Sequence, residues 1–553
     1  MGFLGILEDK KLPHVPGTVI LNEEAAKSEN LTSGLKHGTG KDAHIVLAPQ
    51  PSDDPNDPLN WSQTKKFINI FIIGLGAILN AATMGPLLNA GMFDISQEFN
   101  VPIGNITLIS GYQLLVVACS GPIVSACSRK WGKRPCFIIS TAFAILGTIV
   151  GSALPTYNGL LASRIIQGGS TSAYESLIVA AVGDLYFVHQ RGIYMSGIQF
   201  ILGGVSNFTS IICGVITTNL GWRYLFHILI AFVGAQFILL ILFCPETSYI
   251  RDRRYNTDEI ANDNLEDLAA GEKGNKQGSQ IEEAGNTTDT TTTNRPIPAP
   301  KTFVQQMAIF TGTYSDENML QLILAPFAVC TNLAVLWVVI VSGTITAAYI
   351  VQAYVLAQIF SLPPYNLQAA GIGYLSLGPF IGSVIASILL GFVLDPTIRW
   401  ATTRNKGVYE PEYRLLPMVG SLLAGAALMA FGVMCERGIS YYATATVHGI
   451  VLFGVIFATI STAAYALDAY RDMSSEIFIA GMMFKNILFY AFSYFTNDWT
   501  ARAGSAEVFY VFGGVSLFLT LTTPVVFIFG KRYRSMWHRH NLLEKFNIRT
   551  HAE

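Results

Sequence analysis

Charged residues are scarce in this sequence. Only 13% of its 553 residues are Asp, Glu, Lys or Arg, whereas a soluble domain uses about a quarter. Apolar residues make up 51% of the chain, and the mean hydropathy is +0.42. So few charges cannot cover a molecule of this size against water, and we expect most of its surface to face lipid.

Other absences exclude whole classes of function. A net charge of −2 gives no field that would attract nucleic acid. The seven cysteines form no CxxC pair or metal-ligand spacing, which predicts small buried side chains and no bound metal. HExxH and similar catalytic patterns are missing, so we predict no enzyme and no cofactor. The first sixty residues contain no apolar stretch with a cleavage site, which leaves membrane insertion to the first span.

What the sequence does have is long apolar runs. Crossing a bilayer core of about 30 Å takes about 20 helical residues, and twelve runs reach that length. Together they predict an all-α membrane fold with twelve transmembrane helices, at about 68–92, 106–126, 135–154, 159–183, 193–216, 223–243, 322–350, 367–394, 414–434, 440–466, 475–495 and 507–529.

The basic residues predict the orientation of these spans. Sixteen Lys and Arg residues fall in or beside the connections on one side, and only Arg223, Arg437 and Arg502 fall on the other. Cytoplasmic loops carry such an excess of positive charge. Both termini are therefore predicted to be cytoplasmic.

Two polar stretches divide the chain. Residues 1–66 are predicted to be a disordered cytoplasmic tail, and 250–318 a low-complexity cytoplasmic linker. Between and after them lie two six-helix bundles, 67–249 and 319–530, followed by a cytoplasmic tail, 531–553. Two bundles that rock about a central site are what alternating access requires.

Short motifs along residues 50–540 resemble one family. The sequence is similar to the major facilitator superfamily, in particular to its fungal drug/proton-antiporter and polyamine-permease branch. The motifs that carry the resemblance are DPNDPLNWS at 54–62, WGKRP at 131–135, RIIQG at 164–168, GDL at 183–185 with RG at 191–192, GWR at 221–223, PET at 245–247 and EPEYRL at 410–415. The resemblance implies the two-bundle fold of that family and proton-coupled transport of a small molecule, by a monomer in the plasma membrane.

Two positions depart from the family pattern. The family's loop motif usually has an acidic residue where this sequence has Arg129, although the second half keeps its acid, Asp395. In the fifth span the antiporter motif has Gly-Pro, and here the matching residues are Thr209 and Ser210. Because that motif is linked to export, efflux and uptake both stay open.

Polar side chains inside the apolar runs are candidates for the transport path, since each is costly at bilayer depth. Glu175 could carry a proton or bind a cation, pair with a charge on another helix, or be a hydrogen-bonded packing residue. Arg164, with Gln167 one turn later, could tune a neighbouring acid, bind an anion or anchor helices. About eleven residues separate Arg164 from Glu175, which is about 16 Å of helix and too far for a direct pair.

Helix eleven carries the other strong candidates. Lys485, with Asn486 beside it, should face the bundle interior, where it could counter Glu175 or Asp468 or repel a cation. Uncharged residues could line the same path or join helices: they are Asn80, Gln199 and Asn207.

A second set of charges lies near the predicted cytoplasmic ends, where it could steady one conformation: Arg129, Arg134, Asp184, Arg191 and Asp395. Asn105 begins a glycosylation sequon on the opposite side, beside the second span.

Three functions remain open from the sequence. We expect a proton-coupled exporter of drugs, toxins or secondary metabolites. An uptake permease for polyamines, other organic cations or nutrients is the alternative. A nutrient sensor that does not transport is the candidate from another class.

Overall fold

The computed structural model describes residues 3–7, 15, 17–20, 51–52, 54–187, 194, 197–198, 200–250, 299–315, 317–405, 408–470 and 473–540. Within these ranges the chain is almost entirely helical, as its long apolar runs predict. One pair of two-residue strands, β1 (Val19–Ile20) and β2 (Val408–Tyr409), is antiparallel.

The described ranges contain twelve long helices, and consecutive helices are joined at alternating ends. They are α1 (Gln63–Thr83), α2 (Ile103–Trp131), α3 (Lys133–Ala153), α4 (Tyr157–Leu185), α5 (Phe200–Leu220), α6 (Arg223–Phe243), α7 (Leu333–Phe360), α8 (Ala369–Arg404), α9 (Pro411–Glu436), α10 (Tyr441–Ala469), α11 (Ser474–Ala503) and α12 (Ser505–Arg539). Shorter helices span Met92–Phe99, Phe303–Gln306 and Met319–Ala328.

Eleven of the helices in the described ranges are long and apolar enough to cross a membrane. The remaining one, α4, has 29 residues, but Arg164, Glu175 and Asp184 interrupt its apolar character. It packs against α2 and α3 like any other member of the bundle. The prediction of an all-α, twelve-helix membrane fold is therefore confirmed, and the least apolar span is the one with the most polar chemistry.

The seventh span does not lie where the sequence predicts it. The run expected at 322–350 is split into the helix Met319–Ala328 and α7, which begins at Leu333. Asn332 causes the break, because its side chain accepts hydrogen bonds from the N–H groups of Ala334 and Val335 at 3.0 and 3.3 Å and so caps α7. Because the apolar run is continuous across this position, the sequence gives no sign of the cap.

Three other spans differ from their predicted bounds by about ten residues at one end. α1 begins at Gln63 and ends at Thr83 in a π-helical turn, Ile78–Thr83, whereas 68–92 is expected. α8 continues to Arg404, about ten residues beyond the expected end at 394. α12 continues to Arg539, ten residues beyond the expected end at 529. Polar residues at the start of α1 and at the ends of α8 and α12 extend these helices beyond the apolar core, which a hydropathy window does not detect, whereas α1 ends early, at its π-turn.

The first six helices form an N-half and the last six a C-half. The halves meet mainly where α2 packs against α11 and α5 against α8. Small residues allow this approach: a Cβ on Gly373 would lie 2.8 Å from the Ser210 carbonyl oxygen, so these backbones are nearly in contact. The halves are thus separate bundles with a closely packed seam.

We call the end of the molecule at which α1 begins and α12 ends the basic face. Here the segment before α7 packs against the N-half: Tyr314 N–H donates to the Lys130 carbonyl at 2.8 Å, and Lys65 Nζ donates to Gln306 at 2.7 Å. These contacts fall within the stretch expected to be a low-complexity linker, most of which, 251–298, lies outside the described residues. The domain boundaries stay a prediction.

Candidate functional site

An ion pair joins the two halves near the middle of the membrane-spanning region. Glu175 of α4 pairs through Oε1 with Lys485 Nζ of α11, and its Oε2 accepts a hydrogen bond from Asn486 Nδ2 at 3.3 Å. The two charged side chains are 14% and 29% exposed, so both border open space in the protein. Of the partners considered for Lys485, the structure places it on Glu175.

The other candidate partner of Lys485 is occupied elsewhere. Asp468 accepts hydrogen bonds from Arg414 Nε at 2.8 Å and from the Tyr409 hydroxyl on the basic face. Aromatic rings stand beside the central pair instead: the Phe489 ring centroid is 6.0 Å from Lys485 Nζ, and Tyr112 packs on Tyr490 across the α2–α11 seam. The pair has no net charge, so it presents neither a cation site nor an anion site until one partner is released.

Arg164 is fully buried and has a different kind of partner. Its Nη1 donates to the Met84 carbonyl at 2.7 Å and to Gln167 at 2.9 Å, and its Nη2 donates to the Gly85 carbonyl at 3.2 Å. These carbonyls are free because regular helix ends at the π-turn of α1. None of the three partners is a carboxylate. A role for Arg164 in tuning Glu175 therefore finds no support in this geometry, which is that of an anchor for the end of α1.

Two uncharged candidates of the N-half, Gln167 and Asn80, belong to the same anchor. Gln167 Nε2 donates to Thr148 at 3.2 Å, which ties α4 to α3. Asn80 donates to the Gly76 carbonyl at 2.8 Å and accepts from Ser170 at 3.3 Å, which ties α1 to α4. Gln167 and Asn80 are completely buried, so in this conformation they hold helices together and are not accessible from the space beside Glu175 and Lys485.

Asn207 is an uncharged candidate that also bridges the halves, as Asn486 does through Glu175. Its Oδ1 accepts a hydrogen bond of 2.6 Å from the Tyr349 hydroxyl, so α5 is joined to α7. Behind Tyr349 lies His448 of α10, with ring centroids 5.4 Å apart. Both His448 ring nitrogens are buried without a hydrogen-bond partner among the described residues. Sequence reasoning missed this histidine, and the signal was its position in the apolar run of the tenth span.

Two buried glutamines were also missed. The side-chain amides of Gln113 in α2 and Gln352 in α7 are fully buried, and both their nitrogen and oxygen atoms lack partners among the described residues. An unsatisfied buried amide is costly and usually has a reason. The only hint in the sequence is an amide inside an apolar run, the pattern by which Asn80 was selected.

On the basic face, Arg129 of α2 contacts acids from beyond the N-half. Its Nη1 lies 2.6 Å from Glu476 in the first turn of α11, and its Nη2 lies 3.4 Å from Glu317. Glu476 is 2% exposed. Where the family's loop motif has an acid, this chain has Arg129, and the acid that pairs with it, Glu476, lies on the C-half. We call the contact between Arg129 and Glu476 the latch.

The neighbouring basic residues act within the N-half. Lys133 pairs with Asp184 at the end of α4. Arg134 Nη2 donates to the Ile241 and Met307 carbonyls at 2.9 Å each, which caps the end of α6. Glu246 accepts the backbone N–H groups of Lys133 and Arg134 at 2.9 and 3.0 Å, where a carboxylate suits the N-terminus of α3.

The remaining predicted residues cannot be tested in the same way. Gln199 and Arg191 lie outside the described residues, as does the side chain of Asp395 within α8. Asn105 is exposed in the first turn of α2, and its glycosylation stays a prediction. Over the ranges that the structure describes, no group of three or more His, Cys, Asp or Glu residues could hold a metal ion.

Known proteins are similar to this chain along almost its whole length. The family model of the Major Facilitator Superfamily matches residues 67–489. An uncharacterized MFS-type transporter of Schizosaccharomyces pombe is 24% identical over 99% of this chain and 97% of its own length. Protein HOL1 of Saccharomyces cerevisiae is 22% identical, over 97% of this chain and 98% of its own.

Solved structures share the fold. A D-xylose–proton symporter superposes with a TM-score of 0.54 at 15% identity, covering 83% of this chain and 97% of its own. The human organic anion transporter MFSD10 gives 0.52 at 13% identity, covering 83% and 98%. At such low identity these structures establish the architecture and leave the substrate open.

Proposed function

Because the chain belongs to the major facilitator superfamily, we propose that this membrane transporter is coupled to protons and moves small organic molecules by alternating access, with Glu175 as the group that carries the proton. The observation that carries the proposal is the pair between Glu175 and Lys485, which joins the N-half to the C-half. A carboxylate in such a place is both titratable and mechanically connected to the seam.

The coupling step follows from the charges. With Glu175 ionised, its pair with Lys485 and its hydrogen bond from Asn486 hold α4 against α11. A proton on Glu175 removes one charge of the pair, so the contact between the halves weakens. Lys485 is then an unpaired ammonium at membrane depth, a state that favours either deprotonation of Glu175 or arrival of a substrate group that can accept from Lys485.

Alternating access also needs contacts that break in turn. The latch on the basic face and the hydrogen bond between Tyr349 and Asn207 both cross the seam. Opening the basic face requires the latch to separate. Protonation at the centre would thus act between α4 and α11, and separation at the basic face between α2 and α11, so both steps involve α11.

We propose efflux of drugs, toxins or secondary metabolites as the direction, at the plasma membrane with the basic face in the cytoplasm. One feature favours uptake as the second candidate. Thr209 and Ser210 replace the export-linked Gly-Pro, and Ser210 packs directly on Gly373 of α8.

The test is transport in proteoliposomes that carry a pH gradient. Lumenal pH is followed while polyamines, hydrophobic cations and neutral metabolites are added, for wild type and for Glu175→Gln. Glu98→Gln is the matched control, because Glu98 is also paired with a cation, Arg223 at 2.5 Å, on the face opposite the basic face. Substrate-driven proton movement in wild type and Glu98→Gln that is lost in Glu175→Gln supports the proposal.

The sign of the movement decides the direction. Protons that move against the substrate indicate antiport and efflux, and protons that move with it indicate uptake. Equal proton movement in wild type and Glu175→Gln would refute the role of Glu175. Substrate movement without protons would make the protein a uniporter.

A further inference from the structure

The first residues of the chain lie on the basic face of the C-half. Ile6 is 2% exposed and packs with Ala401, Tyr409 and Tyr413. Leu7 N–H donates to the Ile528 carbonyl of α12 at 3.0 Å. These contacts join the N-terminal segment to α8, α9 and α12, which are far away in the sequence.

A second stretch of the same segment adds backbone pairing. Strand β1 pairs antiparallel with β2, so that Val19 is opposite Tyr409 and Ile20 is opposite Val408. Beside it, Thr18 Oγ1 donates to Glu410 Oε2 at 2.8 Å. We call the described residues of this segment, 3–7, 15 and 17–20, the arm.

Besides the apolar cluster around Ile6, the arm contacts a buried charge network. Glu410 is 2% exposed and pairs with Lys531 at 2.7 Å and with Arg534 at 2.9 Å. Arg534 also holds Glu412 at 2.9 Å. A donor that reaches Glu410 must match this arrangement in position and polarity, which indicates a specific contact.

The position of Gly17 in the arm accepts no larger residue without strain. Its φ is +83°, and a Cβ there would lie 2.9 Å from the Asp468 carbonyl oxygen and 3.0 Å from Arg534 Nη1. Only glycine adopts such a conformation readily and also leaves room for these atoms. At Gly17 the arm therefore lies directly against the end of α10.

The end of α10 connects directly to the latch. Asp468 precedes Glu476 by eight residues, and the short connection between α10 and α11 lies between them. Tyr470, Met473 and Ile477 of this stretch are buried in one cluster. The end of α10 before this connection therefore lies against the arm, and the start of α11 after it is paired with Arg129 of the N-half.

We propose that the arm is an intramolecular restraint whose docking favours the conformation in which Arg129 holds Glu476. In this proposal, separating Glu476 from α2 shifts the α10–α11 connection and with it the end of α10, against which Gly17 lies. The arm then binds the end of α10 better in one state than in the other, and such a difference in affinity shifts the equilibrium. By linkage, undocking the arm loosens the latch.

The test is hydrogen–deuterium exchange on the full chain, comparing wild type with Gly17→Ala. Gly5→Ala is the matched control, because Gly5 also has a positive φ, +87°, but nothing lies within 4 Å of its Cβ position. In Gly17→Ala we expect exchange to rise roughly tenfold at 17–20 and 408–409, from backbone strain in addition to the clash. We expect a smaller rise at 469–477 and 126–131, and unchanged protection of α6.

The outcomes separate the alternatives. Faster exchange of the arm alone, with 469–477 and 126–131 unchanged, would show that the arm only covers the C-half and would overturn the proposal. Unchanged exchange of the arm would overturn the docking itself. If Gly17→Ala loses protection throughout the protein, the same experiment is done with Thr18→Val, which removes only the donor to Glu410. The proposal is then judged in the same way, from the exchange of the arm and from that of 469–477 and 126–131. None of these readings depends on the substrate or on protons.

Discussion

Arg164 and Lys485 are both cations at membrane depth, and the structure uses them in opposite ways. Arg164 is completely buried in the N-half and donates to backbone carbonyls and to a glutamine of its own half. Lys485 borders open space and pairs with a carboxylate of the other half. A charge in a membrane thus indicates function only when its partner can titrate or move away, whereas a charge that satisfies backbone groups is part of the fold.

The largest effect should follow from removing Arg164. Arg164→Met leaves the Met84 and Gly85 carbonyls and the Gln167 amide without a donor, and each unsatisfied buried group costs about 1–3 kcal/mol. We expect little folded protein, measured as monodisperse yield and Tm in detergent. Wild-type stability with lost proton coupling would reverse the comparison and make Arg164 the functional cation.

Glu175→Gln should have the next largest effect, on coupling rather than on folding. The amide keeps the shape of the side chain but cannot carry a proton, so substrate-driven proton flux should fall at least tenfold while the folded yield changes little. Proton flux and yield are measured on the same preparation. A collapse of the yield would place Glu175 with Arg164 among the structural residues.

The latch should show an intermediate effect. Arg129→Glu puts two carboxylates opposite each other, which should favour separation at the basic face and change the transport rate several-fold. The charge swap Arg129→Glu with Glu476→Arg should restore most of the rate, because the pair is re-formed with reversed sign. Transport is measured for both single variants and the double variant, and a double variant no better than the worse single one would contradict the latch.

Tyr349→Phe should have the smallest effect. It removes one hydrogen bond across the seam, to Asn207, worth about 1 kcal/mol. Tyr354→Phe is its matched control, since that hydroxyl donates to the Phe489 carbonyl within the C-half at 3.2 Å. We expect Tyr349→Phe to alter transport rate more than Tm and Tyr354→Phe to do the reverse. Equal effects would show that Tyr349 has no special part in joining the halves.

Much of the site was within reach of sequence reasoning, although the roles were not. Glu175, Lys485 and Asn486 stand out because each is costly in an apolar run, and they meet in the structure. Arg164 stands out by the same rule and does something else. The sequence cannot separate these cases because the partner of a side chain lies on another helix, and nothing local identifies it.

The latch shows the same limit on the basic face. In the sequence, Arg129 marks only a position where the family's acid is missing, because no neighbouring residue identifies its partner. The compensating acid is Glu476, 347 positions away. The arm was equally hidden, because a short strand and a glycine in a polar tail carry no periodicity.

The sequence by itself determined the solvent of this protein, its helical class and the number of its spans, because burial in lipid requires long apolar helices with few charges. It also limited the chemistry to the few polar residues within those spans. Only the tertiary structure decided which of these residues face one another, where α7 begins and which charge joins the two halves. Those outcomes depend on the packing of helices that are distant in sequence, and hydropathy, summed along one segment at a time, contains no information about it.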